Sequence, residues 1–201
     1  MTLANVAKKA GITVLIGTSG QQGCFDKNIV KSVLEHTERP VIMPLSNPTS
    51  MSEAIPADLY RWTDGRVLIG TGSPFPDVEY QGKEYRIGQC NNVFVFPGVG
   101  LGVLASGARE VLPEFFTAAA RAVSDFVTRE EMERGCLVPD VTKLREVSLK
   151  VAQAVGEAAI NMGVSRPCAF STFQHNNDSS RLYELIRRMR WEPDYIPLVA
   201  M

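Results

Sequence analysis

Apolar positions recur in a regular order along the first 75 residues. The run 12–16 (ITVLI) is short, β-branched and apolar throughout, and it closes on Gly17-Thr18-Ser19-Gly20, followed by Gln21-Gln22-Gly23. A run of that length ended by glycines predicts a central parallel strand covered on both faces. Asp26 stands where a helix N-cap belongs, and Ile29, Val30, Val33 and Leu34 then fall on one face of a helix reaching about His36. Arg39-Pro40 breaks it. The run 41–45 (VIMPL) predicts a second strand, closing on Ser46-Asn47-Pro48-Thr49. Ser52 opens a helical stretch through 57–62 that stops at Asp64-Gly65, and 67–69 predicts a third strand closing on Gly70-Thr71-Gly72-Ser73-Pro74. Strand, helix, strand, helix and strand joined by short links predict a right-handed parallel α/β sheet.

The pattern changes at Pro76. Residues 78–87 alternate around Gln81-Gly82, which predicts a small β-hairpin excursion. After Gln89-Cys90-Asn91-Asn92 and the apolar run 93–96 the chain turns helical. Phe115, Phe116, Ala119 and Val123 share one face of a helix over 112–126, and Thr128 with Glu131 forms a capping-box pattern for a short helix. Val147, Val151, Ala154, Val155 and Ala158 mark an amphipathic helix within 142–162. The tail from Pro167 carries Gln174-His175-Asn176-Asn177-Asp178, a helix over 179–189, and then Trp191 among prolines that forbid a continuous helix. Such a tail is expected to lie against the body of the chain or a partner subunit.

Composition narrows the classes. At 201 residues, 45% hydrophobic and 21% charged, the chain is long enough for a sizeable core and has the balance of a soluble globular protein. A formal net charge of -1 argues against a nucleic acid or an anionic membrane held by bulk charge. The basic run Arg187, Arg188 and Arg190 spreads around a helix and reads as a solvated face. Cys24, Cys90, Cys136 and Cys168 form no CxxC pair, and His36 and His175 are remote from them in sequence, so four reduced thiols in a cytoplasmic protein are expected rather than a zinc site. There is no signal-peptide pattern at the N-terminus and no apolar stretch of membrane-spanning length.

Ligands of open parallel sheets bind beyond the carboxyl ends of the strands. That rule selects three loops, 17–23, 46–49 and 70–74, all rich in Gly, Ser, Thr and Asn. Glycine permits close approach to the backbone, and hydroxyls and amides offer uncharged hydrogen bonds to ribose or carboxylate. Ordinary turn chemistry wants the same residues. Gly98, Gly100 and Gly102 after the run 93–96 imitate a dinucleotide phosphate loop. However, the last glycine comes one residue early, Pro97 stiffens the entry and no acid ends a strand about 20 residues on, so close packing at a helix start is the expected role. Asp26, Asp64, Asp77 and Glu79 fall at caps, turns or the hairpin, and no serine sits in a GxSxG elbow. The residues predict binding without a complete catalytic set and without a metal site.

Several segments in order resemble the malic enzymes: Thr13-Val14-Leu15-Ile16-Gly17, Arg39-Pro40-Val41-Ile42-Met43, Leu45-Ser46-Asn47-Pro48-Thr49, Ala57-Asp58-Leu59-Tyr60, Gly72-Ser73-Pro74-Phe75, and residues 88–98, which include Asn91-Asn92-Val93-Phe94. The resemblance continues to the Trp191-Glu192-Pro193 tail. It implies an α/β fold with a partial Rossmann-like parallel sheet, helices on both faces, a small hairpin insertion and a helical C-terminal half. Residues 1–165 would form the NAD(P)-binding domain, lacking its N-terminal part, and 166–201 the tail. It further implies oxidative decarboxylation of L-malate to pyruvate and CO2, with NAD or NADP reduced and a divalent cation, Mn or Mg, acting as Lewis acid.

By the same resemblance Asn47 contacts malate and the nicotinamide side of the cofactor, Asn91 or Asn92 is a second malate contact, and Thr18, Ser19 and Ser46 line the cofactor ribose. The family's catalytic Tyr and Lys, acidic metal ligands, malate-binding Arg and glycine-rich phosphate loop lie earlier in the polypeptide. The isolated chain is therefore expected to be inactive, with an exposed sheet edge and apolar face that favour a homo-oligomer or association with intact subunits. A standalone nucleotide-binding or regulatory module and a purely structural remnant are the competing readings. They differ in whether the chain co-purifies with an intact malic enzyme and whether it binds NAD(P) or malate.

Overall fold

The structure is a computed structural model that describes residues 2–166 and 179–193. The chain divides into two compact units, one formed by Met1–Phe94 with Val123–Leu144 and the other by Val95–Ala122 with Arg145–Met201.

The first unit is built on a four-stranded, wholly parallel sheet. Its strands are β1 (Val14–Gly17), β2 (Val41–Pro44), β3 (Leu68–Thr71) and β6 (Gly88–Gln89), in that spatial order. Helix α1 (Leu3–Ala10) precedes β1, α2 (Lys27–Leu34) crosses from β1 to β2, and α3 (Pro56–Thr63) crosses from β2 to β3. Register aligns Leu15 with Ile42 and Ile42 with Ile69, so one aliphatic row runs across three strands. Phe25, Ile29 and Val30 from the β1–α2 segment, with Leu59 and Tyr60 of α3, bury that row. The alternate positions of β1, the edge strand, point the other way, and Val14 and Ile16 are 48% and 58% exposed.

Local chemistry sets the helix ends. Asp26 caps α2, its carboxylate accepting the N–H groups of Asn28 and Ile29, both at 2.9 Å. Pro56 occupies the first turn of α3, where its missing N–H costs nothing, and Asp64 ends the helix in the left-handed region at φ 54°. Ser52 was the expected start of this helix. Instead residues 52–54 are non-helical and lie beside the β1–α2 loop, the N–H of Gly23 bonding to the Ser52 carbonyl at 3.1 Å and that of Phe25 to the Glu53 carbonyl at 2.9 Å.

The hairpin forms where expected: β4 (Val78–Tyr80) pairs antiparallel with β5 (Lys83–Tyr85), and Gln81 and Gly82 both take positive φ in the turn. Strand β6 then pairs parallel with β3, Gly70 opposite Gly88 and Thr71 opposite Gln89. Thr128 and Glu131 make the reciprocal capping box of α6 (Arg129–Glu133). Glu131 is further held by Lys143 at 2.9 Å.

The second unit is helical, as the sequence implies: α4 (Phe96–Ser106), most of α5 (Pro113–Asp125), α7 (Leu144–Asn161) and α8 (Ser179–Met189). Ala105, Leu149, Ala152, Leu182 and Ile186 form its buried cluster, so the tail helix α8 packs on α4 and α7. Residues 167–178 and 194–201, Cys168 and His175 included, lie outside the described residues. Arg187 and Arg188 pair with Glu184 at 3.6 and 3.7 Å, and Arg190 pairs with Glu192, which accounts for the basic run as a solvated, ion-paired face.

The glycine triplet that imitates a phosphate loop lies inside α4. A methyl group on Gly98 would fall 2.5 Å from Val151, and one on Gly102 would fall 2.5 Å from the Ala152 carbonyl oxygen. Two small residues four apart let the α4 backbone settle onto α7. Gly102→Ala is accordingly expected to lower stability by about 1–3 kcal/mol, seen as a shift of the denaturant midpoint, whereas Gly100→Ala, with open space around it, leaves the midpoint unchanged or raised.

Candidate functional site

The carboxyl ends of the four parallel strands form one rim. Backbone hydrogen bonds carry the ladder past the strands themselves: Leu45 N–H to the Gly17 carbonyl at 2.8 Å, Gly72 N–H to that of Pro44 at 3.0 Å, and Cys90 N–H to that of Thr71 at 2.7 Å. The loops after β1, β2, β3 and β6 are therefore held side by side. They present Thr18 and Ser19, then Ser46 and Asn47, then Ser73, then Asn91 and Asn92. Gly72 is indispensable to this alignment, since a methyl group there would lie 1.9 Å from the Leu45 carbonyl oxygen.

Glu53 sits behind the first two loops with no exposed surface. Its Oε1 accepts the Ser19 N–H at 2.7 Å, the Ser19 hydroxyl at 3.0 Å and the Ser46 hydroxyl at 2.5 Å, while Oε2 accepts the Ser46 N–H at 3.3 Å. Burial raises the pKa of this carboxyl, but the bonds from Ser46 and Ser19 outweigh it and bring the group down to about 2. Gly17 makes the room: a methyl group there would fall 2.7 Å from the Glu53 carboxyl carbon. Glu53 escaped the sequence reading because an acid in an expected first helical turn looks like a solvated partner of the helix end. The absence of helix at 52–55 turns it inward.

Asn47 is exposed on the rim, preceding a cis peptide bond to Pro48. Its Oδ1 accepts the hydroxyl of the buried Ser73 at 2.6 Å, and its Nδ2 faces the Leu45 carbonyl at 3.4 Å. Ser73 is a second residue that sequence reasoning missed, having read it as turn chemistry. Thr71 holds the Ser73 carbonyl at 2.8 Å, and Gln89 holds that of Gly72 at 3.2 Å, so the β3 loop is braced from both sides. Asn91 and Asn92 differ in how they are used. The Asn91 side-chain carbonyl accepts the Val93 N–H at 3.0 Å, closing a turn of 3-10 helix over Asn92–Phe94, whereas Asn92 is exposed and its side chain has no partner among the described residues. Thr18 is exposed beside Ser19.

Of the three cysteines within the described residues, Cys24 is half-buried near the Ser19 hydroxyl at 3.5 Å, Cys136 is buried, and burial pushes the Cys90 thiol up to about 11. A thiol so raised is a poor nucleophile at neutral pH. The described residues supply no group of three His, Cys, Asp or Glu side chains that could hold a metal ion, and no described helix is long and apolar enough to cross a membrane. The polar groups of the rim, hydroxyl oxygens and neutral amides beside close-approach glycines, suit the sugar and amide groups of a nucleotide cofactor.

Glu53 also predicts the acid response of the first unit. A carboxyl held at about 2 when folded and near 4.5 when unfolded contributes stability that is full above pH 4.5 and is lost as the pH falls towards 2. The magnitude is about 3 kcal/mol. Urea titrations of wild type and Glu53→Gln are expected to differ by roughly that amount at pH 7 and to converge as the pH falls towards 2. An unchanged difference across that range would refute the assignment.

Comparison with known proteins identifies the family. Residues 1–160 match the family described as malic enzyme, NAD binding domain. An NAD-dependent malic enzyme of Sodalis glossinidius is 45% identical over 195 residues, covering 97% of this chain and 33% of that protein. One from Edwardsiella ictaluri is 49% identical over 165 residues, covering 82% of this chain and 29% of the other. The chain thus spans about a third of the length of the curated relatives it matches. Two solved structures share the fold. The malic enzyme of Entamoeba histolytica gives a TM-score of 0.64 at 22% identity, covering 92% of this chain and 39% of that one. The malic enzyme of Pyrococcus horikoshii gives 0.61 at 23% identity, covering 91% and 38%. By the extent of the family match and the identity across nearly its whole length, this chain belongs to the malic enzymes, as their NAD-binding domain.

Proposed function

We propose that this chain supplies the nicotinamide-side wall of a malic enzyme that converts L-malate to pyruvate and CO2 while reducing NAD or NADP. The observation that carries the reading is the rim itself: four strand ends aligned by backbone hydrogen bonds, with Asn47 fixed at their centre by Ser73. Relatives bearing the name NAD-dependent malic enzyme favour NAD over NADP. When bound, the cofactor accepts the hydride from C2 of malate. The chain's own residues bind and orient. Asn47 gives one amide N–H to the Leu45 carbonyl and keeps the other free to donate to a substrate oxygen or to the nicotinamide carboxamide. Asn92, exposed and without a partner, is the better malate contact of the pair, because Asn91 spends its side-chain carbonyl on the Val93 N–H. Thr18, Ser19 and Ser46 line the ribose. Neutral groups can hold the reactants in line for hydride transfer without adding charge beside the carboxylates. The divalent cation and the acid–base groups belong to the remainder of such an enzyme, and the chain alone is proposed to bind without turnover.

Asn47→Ala is expected to weaken NADH binding by about tenfold, the worth of one to two hydrogen bonds, and to lower the unfolding free energy by about 1 kcal/mol, because the buried Ser73 hydroxyl loses its acceptor. Titration calorimetry of the 201-residue chain reads both this and the effect of L-malate, which should bind the NADH complex of wild type more tightly than that of Asn92→Ala. Absence of any NADH binding by a folded wild-type chain would defeat the reading. Malate-dependent reduction of NAD by the chain alone would defeat the proposed inactivity.

The partner proposed is a second copy or an intact subunit. Val14 and Ile16 stand half-exposed on edge strand β1, an apolar pair next to unpaired backbone groups. Light scattering should find dimers or larger species, shifted towards monomer by Ile16→Lys. A monodisperse wild-type monomer contradicts this.

A further inference from the structure

Glu53 does more than tie two loops together, because an ionised carboxylate can only accept. A serine hydroxyl has one proton and two lone pairs. The Ser19 and Ser46 protons both go inward to Oε1 of Glu53, at 3.0 and 2.5 Å. Each oxygen also accepts one backbone N–H, Ser19 from Gln21 at 3.2 Å and Ser46 from Gly20 at 2.8 Å. Neither hydroxyl retains a proton for a ligand. What Ser19 offers the crevice is a lone pair, shared only with the weak thiol donor Cys24 at 3.5 Å. Asn47 is set in the opposite sense. Its Oδ1 is taken by the Ser73 hydroxyl at 2.6 Å and one of its amide N–H groups donates to the Leu45 carbonyl at 3.4 Å, so what exposed Asn47 retains for a ligand is its second N–H. The rim is thus polarised, with an acceptor on the β1 loop and a donor on the β2 loop, and a buried negative charge behind the acceptor.

We propose that Glu53 is a positioning residue that sets this polarity, so that the wall after β1 takes a neutral, proton-donating part of the cofactor, a ribose hydroxyl or carboxamide, and rejects phosphate. The inference rests on the cofactor reading above and deepens it. The diester phosphates of a dinucleotide have acceptor oxygens only and negative charge, and inorganic phosphate shares that charge. The diesters would meet lone pairs at Ser19, and both would meet repulsion from Glu53. A ribose hydroxyl donates to the Ser19 oxygen and displaces the thiol. The phosphate-binding part of any dinucleotide held here must therefore lie away from the β1–β2 loops, with the nicotinamide riboside against them. The seat for the carboxylate is built into the backbone, since Gly17 admits it and any larger residue there would collide with it.

Two measurements test the proposal. In the free protein, the Ser46 hydroxyl proton should exchange with water slowly enough to be observed by NMR and should vanish from the spectrum in Glu53→Gln. A fast-exchanging Ser46 hydroxyl in wild type overturns the proposal. With ligands, NADH and inorganic phosphate are titrated separately. Wild type should bind NADH with no measurable phosphate binding at this site. Glu53→Gln removes the charge and leaves a weaker, neutral acceptor for the hydroxyl protons, so NADH affinity should fall about tenfold and phosphate binding should become measurable. A Glu53→Gln variant that loses affinity for both ligands alike, as mere loosening of the loops would cause, overturns the proposal. Should that variant fail to fold, Ser19→Ala removes the acceptor while Glu53 keeps its remaining donors. It should lose NADH affinity about tenfold without gaining phosphate, and unchanged NADH affinity overturns the proposal. A wild-type chain with a slow Ser46 proton but no NADH binding refutes the cofactor reading instead.

Discussion

A charge with no exposed surface has to be surrounded by donors, and that requirement on Glu53 organises the loops around it. Four hydrogen bonds reach it from two loops, and the residues that make them, Ser19 and Ser46, stand two positions past the ends of β1 and β2 respectively. The non-helical course of 52–54 follows from the same need. Continuing α3 back to Ser52 would carry Glu53 onto a helix and away from the strand ends. Instead the segment lies along the β1–α2 loop and bonds to it through backbone carbonyls at Ser52 and Glu53. The donors that offset the cost of desolvating the carboxylate also fix the loops at the strand ends. Rigid loops lose less conformational entropy when they bind.

Glycine is used in this chain for what it leaves out. At Gly17 the missing methyl group makes room for Glu53, at Gly72 for the Leu45 carbonyl, and at Gly98 and Gly102 for α7. None of these requires the left-handed backbone that turns demand. A methyl group 1.9 Å from an oxygen cannot be absorbed by a rotamer change, so Gly72 sets the spacing of the β2 and β3 loops as firmly as any hydrogen bond. The sequence pattern GxGxG looks alike whether the glycines cradle a phosphate or a neighbouring helix. What separates the two is whether a strand or a helix carries them, and here it is α4.

Much of the fold was legible because periodicity and capping act over a few residues. The runs 12–16 and 41–45, the Asp26 cap, the hairpin at Gln81-Gly82 and the Thr128–Glu131 capping box each carry their own local signal, and each appears in the structure. Strand β6 carried none. It consists of Gly88 and Gln89, and it is a strand only because β3 lies alongside. The site divides in the same way. Asn47 and the serines were visible through strand-end logic and family motif. Glu53 and Ser73 were not, because their roles are long-range. Glu53 reaches 34 residues back to Ser19, and Ser73 reaches 26 back to Asn47. No window-based pattern registers a contact of that separation.

Glu131 and Glu53 show why burial alone does not mark function. Both are buried carboxylates whose pKa is lowered against the cost of desolvation, and both accept from a nearby hydroxyl and backbone N–H. Glu131 takes its donors from Thr128, three residues away, and a lysine, so its charge is cancelled and its geometry ends at one helix cap. Glu53 takes its donors from two separate loops at strand ends and has no cation among them, so its negative charge remains and acts on whatever approaches those loops. An acid of the first kind stabilises an element. An acid of the second kind shapes the chemistry of a surface, because an uncancelled charge in a poorly screened site reaches beyond its own hydrogen bonds.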